Sequence, residues 1–244
     1  MDGSVAVVTG GGSGIGRAVA LGLATAGAVV VVADADAAAA RATADAASGA
    51  LHPREIDVTD PDAVAALADW VGAELGPATV LVNAAGWDET RPFVEASTEF
   101  ARRVVDVNYL GPVWTCRAFL PPMVEAGRGG RIVNIASDAA RVGSSGETIY
   151  AGAKGGVVAL TKSLAREMAR HRITVNCVCP GPTDTPLFNA QPEPLRQALI
   201  KAIPFRRLAR PDEVAAAALF FASDAASFIT GQVLSVSGGL TMAG

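Results

Sequence analysis

The chain has 244 residues, half of them apolar, with 20 Lys and Arg against 24 Asp and Glu and a formal net charge of −4. That is enough apolar material for one large α/β core and too little polarity for a long disordered region. A mildly acidic chain without a basic run argues against nucleic-acid or anionic-lipid partners, and no apolar stretch reaches the roughly 20 residues of a membrane span.

Residues 4–9 are a short apolar run that passes at once into glycines. The N-terminus therefore reads as a strand rather than a secretion signal, and the chain is expected in the cytoplasm. Further apolar, mostly β-branched runs follow at 28–33, 78–82, 131–136, 173–178 and 232–236, with a weaker one at 51–56. Between them lie helix-length segments at 14–26, 36–48, 60–74, 99–126, 149–170 and 211–223. Strands that are apolar throughout are buried on both faces, and repeated βα alternation predicts the α/β class. The expected architecture is one Rossmann-type, doubly wound parallel sheet of about seven strands with helices on both faces. Asp60-Pro61 and Arg210-Pro211 signal helix starts, and Gly27 and Gly76 signal helix stops. No linker or composition break divides the chain, so residues 1–244 read as a single domain. A proline-rich stretch breaks the rhythm after 180, and its part at about 183–206 is expected to cover a substrate site.

Thr9-Gly10-Gly11-Gly12-Ser13-Gly14-Ile15-Gly16 joins the first strand to the first helix. Glycines let backbone approach a pyrophosphate, and the helix N-terminus supplies N–H groups and a positive dipole end. Asp34 ends the second strand and suits an adenosine ribose; its charge would repel a 2′-phosphate. No Arg or Lys lies between 33 and 40, which favours NAD(H) over NADP(H). The competing reading, that Asp34 caps the next helix, is met by Asp36, which can cap it instead.

Tyr150 and Lys154 are four apart in a helical segment and share a face. An ammonium there, with an oxidised nicotinamide nearby, is expected to favour the phenolate and make Tyr150 an acid–base group. Ser137, just past the strand at 131–136, could hold the substrate oxygen. The three cysteines are Cys116, Cys177 and Cys179. Cys177 and Cys179 are expected on opposite faces of a strand, a poor disulfide and a poor metal pair. His52 and His171 have no ligand-spaced partner, and no metal is expected.

Taken together, these pieces resemble the short-chain dehydrogenase/reductase family over about residues 4–240. They occur in that family's order: TGGGSGIG at 9–16, Asp57-Val58, Asn83-Ala84-Ala85-Gly86, Asn108, Ser137, Tyr150 to Lys154, Pro180-Gly181 and Ile229-Thr-Gly-Gln-Val. Ala84 stands where the family often has a second Asn. The resemblance implies that Gly10, Ser13, Gly14, Ile15 and Gly16 hold the pyrophosphate and Asp34 the ribose. Asp57 and Val58 would flank adenine, and Asn83, Ala84 and Gly86 would line the adenosine and nicotinamide side. Pro180, Gly181, Thr183 and Thr185 would contact the nicotinamide. Asn108 would anchor a water leading to Lys154, Ser137 would position the carbonyl, and Tyr150 would move the proton. Lys154 would also bind the nicotinamide ribose. A homotetramer built on the helices at 99–126 and 149–170 is also implied.

The stretches 86–88, 137–147 and 179–187 resemble the branch that oxidises alicyclic β-hydroxyacyl-CoA thioesters such as 2-hydroxycyclohexanecarboxyl-CoA, and more broadly the 3-oxoacyl thioester reductases. Arg141, Arg206 and Arg207 are then candidates for CoA phosphates, or else surface charges. Trp87, Leu187 and Phe188 are candidates for an apolar wall. The alternatives are a non-thioester alcohol or ketone (sugar, polyol, steroid or polyketide), and a nucleotide-sensing regulator without turnover.

Overall fold

The computed structural model describes Met1, residues 3–47 and residues 49–243. Seven strands form one sheet: β1 (Val5–Thr9), β2 (Val29–Asp34), β3 (Leu51–Glu55), β4 (Val80–Asn83), β5 (Gly130–Ile135), β6 (Ile173–Pro180) and β7 (Val233–Val236). All neighbours run parallel in the order β3-β2-β1-β4-β5-β6-β7. Side chains alternate between the two faces of each strand. Ala6 and Val8 of β1 meet Val19 and Leu23 of α1 (Gly14–Thr25) and Val214 and Phe221 of α10 (Pro211–Ala222) in one core layer. Val5 and Val7 meet the opposite layer, with Val64 and Leu67 of α3 (Pro61–Glu74) and Phe119 and Met123 of α5 (Gly111–Ala126). Both faces are covered, which is why the inner strands read as unbroken apolar runs. Each fully buried Val, Leu or Phe contributes about 1.5–3 kcal/mol relative to an exposed one.

The helix starts follow local chemistry. Asp36 accepts from the N–H groups of Ala38 (2.9 Å) and Ala39 (3.0 Å) and so caps α2 (Ala37–Asp45). Asp60 caps α3 in the same way ahead of Pro61. The expected end of α2 at residue 48 lies outside the described residues.

Two expectations are corrected, and the structure adds local detail elsewhere. The segment 99–126 is not one helix: α4 (Thr98–Val105) and α5 are joined by a π-helical turn, Asp106–Leu110. Pro112 has no N–H to give to the carbonyl of Asn108, and its ring would crowd that carbonyl in a regular helix, so the widened turn accommodates both. The proline-rich stretch, of which a covering role is expected, is partly helical. It holds α8 (Pro186–Asn189) and α9 (Glu193–Ala202), with prolines at helix starts, where the missing N–H is tolerated. Two shorter departures are α6 (Ala139–Val142), a helical turn after β5, and the start of α7 (Thr148–Met168) one residue early. Finally, Cys177 and Cys179 share a face of β6, as residues two apart on a strand must. They pack together with Ala136 and Val157. No helix is long and apolar enough to cross a membrane among the described residues.

Candidate active site

The strand order reverses between β1 and β4, and a crevice at such a point, beyond the carboxyl ends of the strands, is where open α/β sheets bind ligands. A cavity of about 810 Å³ opens there. On one side it is walled by backbone. A Cβ on Gly16 would lie 2.1 Å from the Gly10 carbonyl oxygen, and one on Gly10 would lie 2.7 Å from Ala85. Ser13 precedes α1 but its side chain makes no capping bond, so it leaves the N–H groups of the helix's first turn free of its own hydroxyl. The cradle fits a diphosphate, which needs close backbone and open N–H groups. Gly10, Ser13, Gly14, Ile15 and Gly16 all line the cavity. Thr9, which motif reading passed over, fastens this turn to the neighbouring loop: its Oγ1 accepts from the N–H groups of Ala84 (3.2 Å) and Ala85 (3.3 Å).

Asp34 does not cap α2. Its Oδ2 accepts from Gly12 N–H at 2.8 Å and its Oδ1 from Asp36 N–H at 3.0 Å, which aims the carboxylate along the cavity wall. Each oxygen keeps a lone pair for a ribose hydroxyl. Asp57 and Val58 line the same end, with Asp57 held by Thr59 N–H (2.9 Å) and Thr59 Oγ1 (2.8 Å). Pro180, Gly181, Thr183 and Thr185 also line the cavity, Thr185 close to Gly14 of the glycine turn. Thr183 Oγ1 donates to the Gly181 carbonyl at 2.9 Å, and Thr185 caps α8 through Phe188 N–H at 3.2 Å.

Ser137, Tyr150 and Lys154 converge on this cavity from the end of β5 and from α7. Lys154 is buried; its Nζ donates to the Ile135 carbonyl at 2.9 Å and lies 5.7 Å from the Tyr150 ring centre. Burial lowers its pKa to about 8. Ser137 Oγ accepts from Ala139 N–H at 3.2 Å, which leaves its O–H to donate. Burial lifts the pKa of Tyr150 well above its ordinary value, Glu147 and Asp88 add to this, and only the hydrogen bond with Ser137 pulls the other way. Lys154 alone therefore does not make a phenolate.

Two expected site residues sit behind the wall rather than on it. Asn108 is fully buried in the π-turn: its Nδ2 donates to the carbonyls of Trp87 (2.6 Å) and Val104 (2.9 Å), and its Oδ1 accepts from Trp87 N–H (3.2 Å). A Cβ on Gly86 would lie 3.2 Å from Asn108 Oδ1 and 3.5 Å from Lys154 Nζ, so Gly86 is the spacer between them. Asn83 does not line the cavity. Its Nδ2 donates to Asn134 Oδ1 (2.8 Å) and its Oδ1 accepts from Thr115 (2.6 Å). Asn134 passes the chain to Thr161 at 2.9 Å. This buried network ties β4 and β5 to α5 and α7, and so orients the helix that carries Tyr150 and Lys154.

At the substrate end, Trp87, Leu187 and Phe188 do line the cavity, but the three candidate phosphate-binding arginines do not. Arg141 is tied to Ser235 Oγ at 2.8 Å and to the Ala243 carbonyl. Arg207 forms a two-pronged pair with Glu213 at 2.6 and 2.7 Å. Arg206 binds the Lys201 carbonyl. Sequence reading assigned no role to four charged residues that line the cavity: Asp88, Arg103, Asp138 and Glu147. Asp88, Asp138 and Glu147 had one sequence signal, their presence in the distinctive stretches 86–88 and 137–147; Arg103 had none.

The sequence profile of a family described as enoyl-(acyl carrier protein) reductase matches residues 10–241. The cis-4-hydroxycyclohexanecarboxylate dehydrogenase of Sinomonas cyclohexanicum is 46% identical over 198 residues, 81% of this chain and 79% of that protein. The 3-oxoacyl-[acyl-carrier-protein] reductase of Chlamydia muridarum is 41% identical over 186 residues, 76% of this chain and 74% of that protein. A crystal structure of 3-ketoacyl-(acyl-carrier-protein) reductase from Brucella melitensis, complexed with NADH, superposes with a TM-score of 0.94 at 33% identity, covering 99% of both chains.

Proposed function

The chain belongs to the short-chain dehydrogenase/reductase family and is an oxidoreductase of ketones and secondary alcohols, and we propose that its coenzyme is NAD(H) and its substrate a β-hydroxyacyl or 3-oxoacyl thioester. The observation that carries this reading is the convergence of Ser137, Tyr150 and Lys154 on the cavity that Asp34 and the glycine turn also line. When bound, the nicotinamide supplies the hydride acceptor or donor. The protein moves the proton. Ser137 donates to the substrate oxygen and holds it beside the Tyr150 phenol, which takes the proton from an alcohol or gives it to a ketone. Lys154, fixed by the Ile135 carbonyl, brings positive charge to the phenol and to the ribose side. A phenol lifted by burial needs further positive charge before it ionises, so alcohol oxidation is favoured with the oxidised, cationic ring in place. Asn108 holds the Trp87 backbone and with it one rim of the pocket.

Asp34 supports NAD(H): a carboxylate held there by two backbone N–H groups receives ribose hydroxyls and repels a 2′-phosphate. A homotetramer is part of the same proposal and is read from the mass in solution by sedimentation. A second reading, an alicyclic hydroxy compound without CoA, is favoured by one observation: Arg141, Arg206 and Arg207 are already held by protein groups.

The test is a turnover screen with NAD⁺ and NADP⁺ against β-hydroxyacyl-CoAs, their free acids and simple alcohols. We expect NAD⁺ to be preferred by about tenfold or more, and thioesters to outrun free acids. Equal rates with thioester and acid remove the thioester reading. Tyr150→Phe should keep NADH binding while the rate falls by roughly 10²–10⁴. Unchanged turnover in that variant refutes the assignment of the proton-transfer group.

A further inference from the structure

Three carboxyl groups that the mechanism above does not use line the cavity: Asp138, which is held by Ser235 Oγ at 2.5 Å, and Asp88 and Glu147, which act on Tyr150. Asp88 is 8% exposed. It lines the cavity while its Oδ2 lies buried beneath the surface without a partner among the described residues, an arrangement that is costly unless the site's chemistry uses the charge. Asp88 and Glu147 are both close enough to Tyr150 to raise its phenol electrostatically, and Glu147 also acts on Asp88. Burial and Glu147 together lift Asp88 to about 6. Arg91 offsets part of the Asp88 charge, but burial and Glu147 outweigh it. Arg91 is bound to Glu89 at 2.7 Å. Arg103 is stacked over the Trp87 ring at 3.9 Å, and among the described residues it forms no salt bridge with either acid.

We propose that Asp88 and Glu147 are specificity-determining residues that admit a neutral acyl group or hydroxyl beside the reacting carbon and reject a carboxylate there. Like charges in a partly dehydrated pocket repel strongly, whereas a thioester, ester or hydroxyl carries no charge to repel. A β-hydroxy acid puts its carboxylate two bonds from the carbinol carbon, beside this wall; its thioester puts a neutral carbonyl in the same place. The inference rests on Tyr150 marking the reacting centre and explains why a thioester would be preferred to the free acid, without any grip on CoA phosphates.

The experiment compares kcat/KM for 3-hydroxybutyrate, its methyl ester and its N-acetylcysteamine thioester, and for cyclohexanol and 2-hydroxycyclohexanecarboxylate. Each is measured with the wild type, Asp88→Asn, Glu147→Gln and the double variant. In the wild type the neutral compounds should lead. The double variant should narrow the neutral-to-anionic ratio by about tenfold or more, the size expected from removing close like charges. The single variants should fall between, and NADH affinity should be unchanged. A ratio unmoved in any folded variant overturns the proposal, as does a wild type that does not discriminate. Glu147→Gln, at a half-buried position, supplies the reading if Asp88→Asn does not fold. The cyclohexanol pair reads the charge effect without any thioester. Equal rates for ester and thioester would therefore sink the thioester reading while leaving the charge test intact.

Discussion

The two ends of the cavity are built by opposite means. The coenzyme end is backbone: a glycine turn, a helix start and one carboxylate held by two N–H groups, all within residues 9–58. The substrate end is side chains from the loop after β4, the start of α7 and the stretch carrying α8 and α9. Backbone surfaces tolerate almost no added atom, because the wall cannot rotate out of the way. Side-chain surfaces can be exchanged without disturbing the fold, and that is where specificity can vary.

The largest effect should come from crowding the backbone end. In Gly16→Val the first added carbon already meets the Gly10 carbonyl at 2.1 Å. NADH titration should show affinity lost by about 100-fold or more, or the chain should fail to fold. An NADH affinity near the wild-type value would break the contrast. Next is Asn83→Ala, which strands Asn134 and Thr115 in the interior. It should cost about 3 kcal/mol in urea unfolding, although Asn83 does not line the cavity. A loss under about 1 kcal/mol would mean that the network does not brace the site.

Lys154→Met should act in the other direction. Folding depresses the pKa of Lys154 from 10.5 to about 8. Between those values the folded chain binds fewer protons than the unfolded one, so its stability rises with pH. The cost of the buried ammonium is full below pH 8 and is relieved towards pH 10.5. The variant should be inactive yet more stable at pH 7 by about 1–3 kcal/mol, with the advantage shrinking at pH 10. A variant less stable at pH 7 would show that the bond to the Ile135 carbonyl outweighs desolvation. The smallest effect is expected from Arg207→Ala. That guanidinium is engaged by Glu213, so the KM for a thioester substrate should move less than about twofold. A rise of tenfold would return a phosphate contact to this residue.

The same contrast explains what could be read from the chain. The inner strands were legible because strands buried on both faces must be apolar throughout, whereas the edge strand β3, with His, Arg and Glu and no fully buried residue, gave only a weak signal. The glycine turn, Asp34 and the Tyr150–Lys154 pair were legible because their geometry is local: three to five residues on one turn or one helix face. The break at 106–110 was not, since hydrophobic period does not register a widened turn; Pro112 was the available clue. Nor was the setting of Asn83, whose partners lie 32 and 51 residues away. The engagement of Arg141 by β7 and by the Ala243 carbonyl was hidden for the same reason.

Sequence alone was enough for the parallel α/β layout and for the glycine turn, because short-range spacing and backbone stereochemistry dictate them, while the resemblance to a known family singled out Ser137, Tyr150 and Lys154 as the proposed acid–base trio. Only the folded molecule decided which charges face the substrate. Asp88 and Glu147 are 59 positions apart in the chain, and whether they share a wall depends on how the loop after β4 and the start of α7 pack against each other. Their common field on Tyr150 is a property of that packing and of the water it excludes.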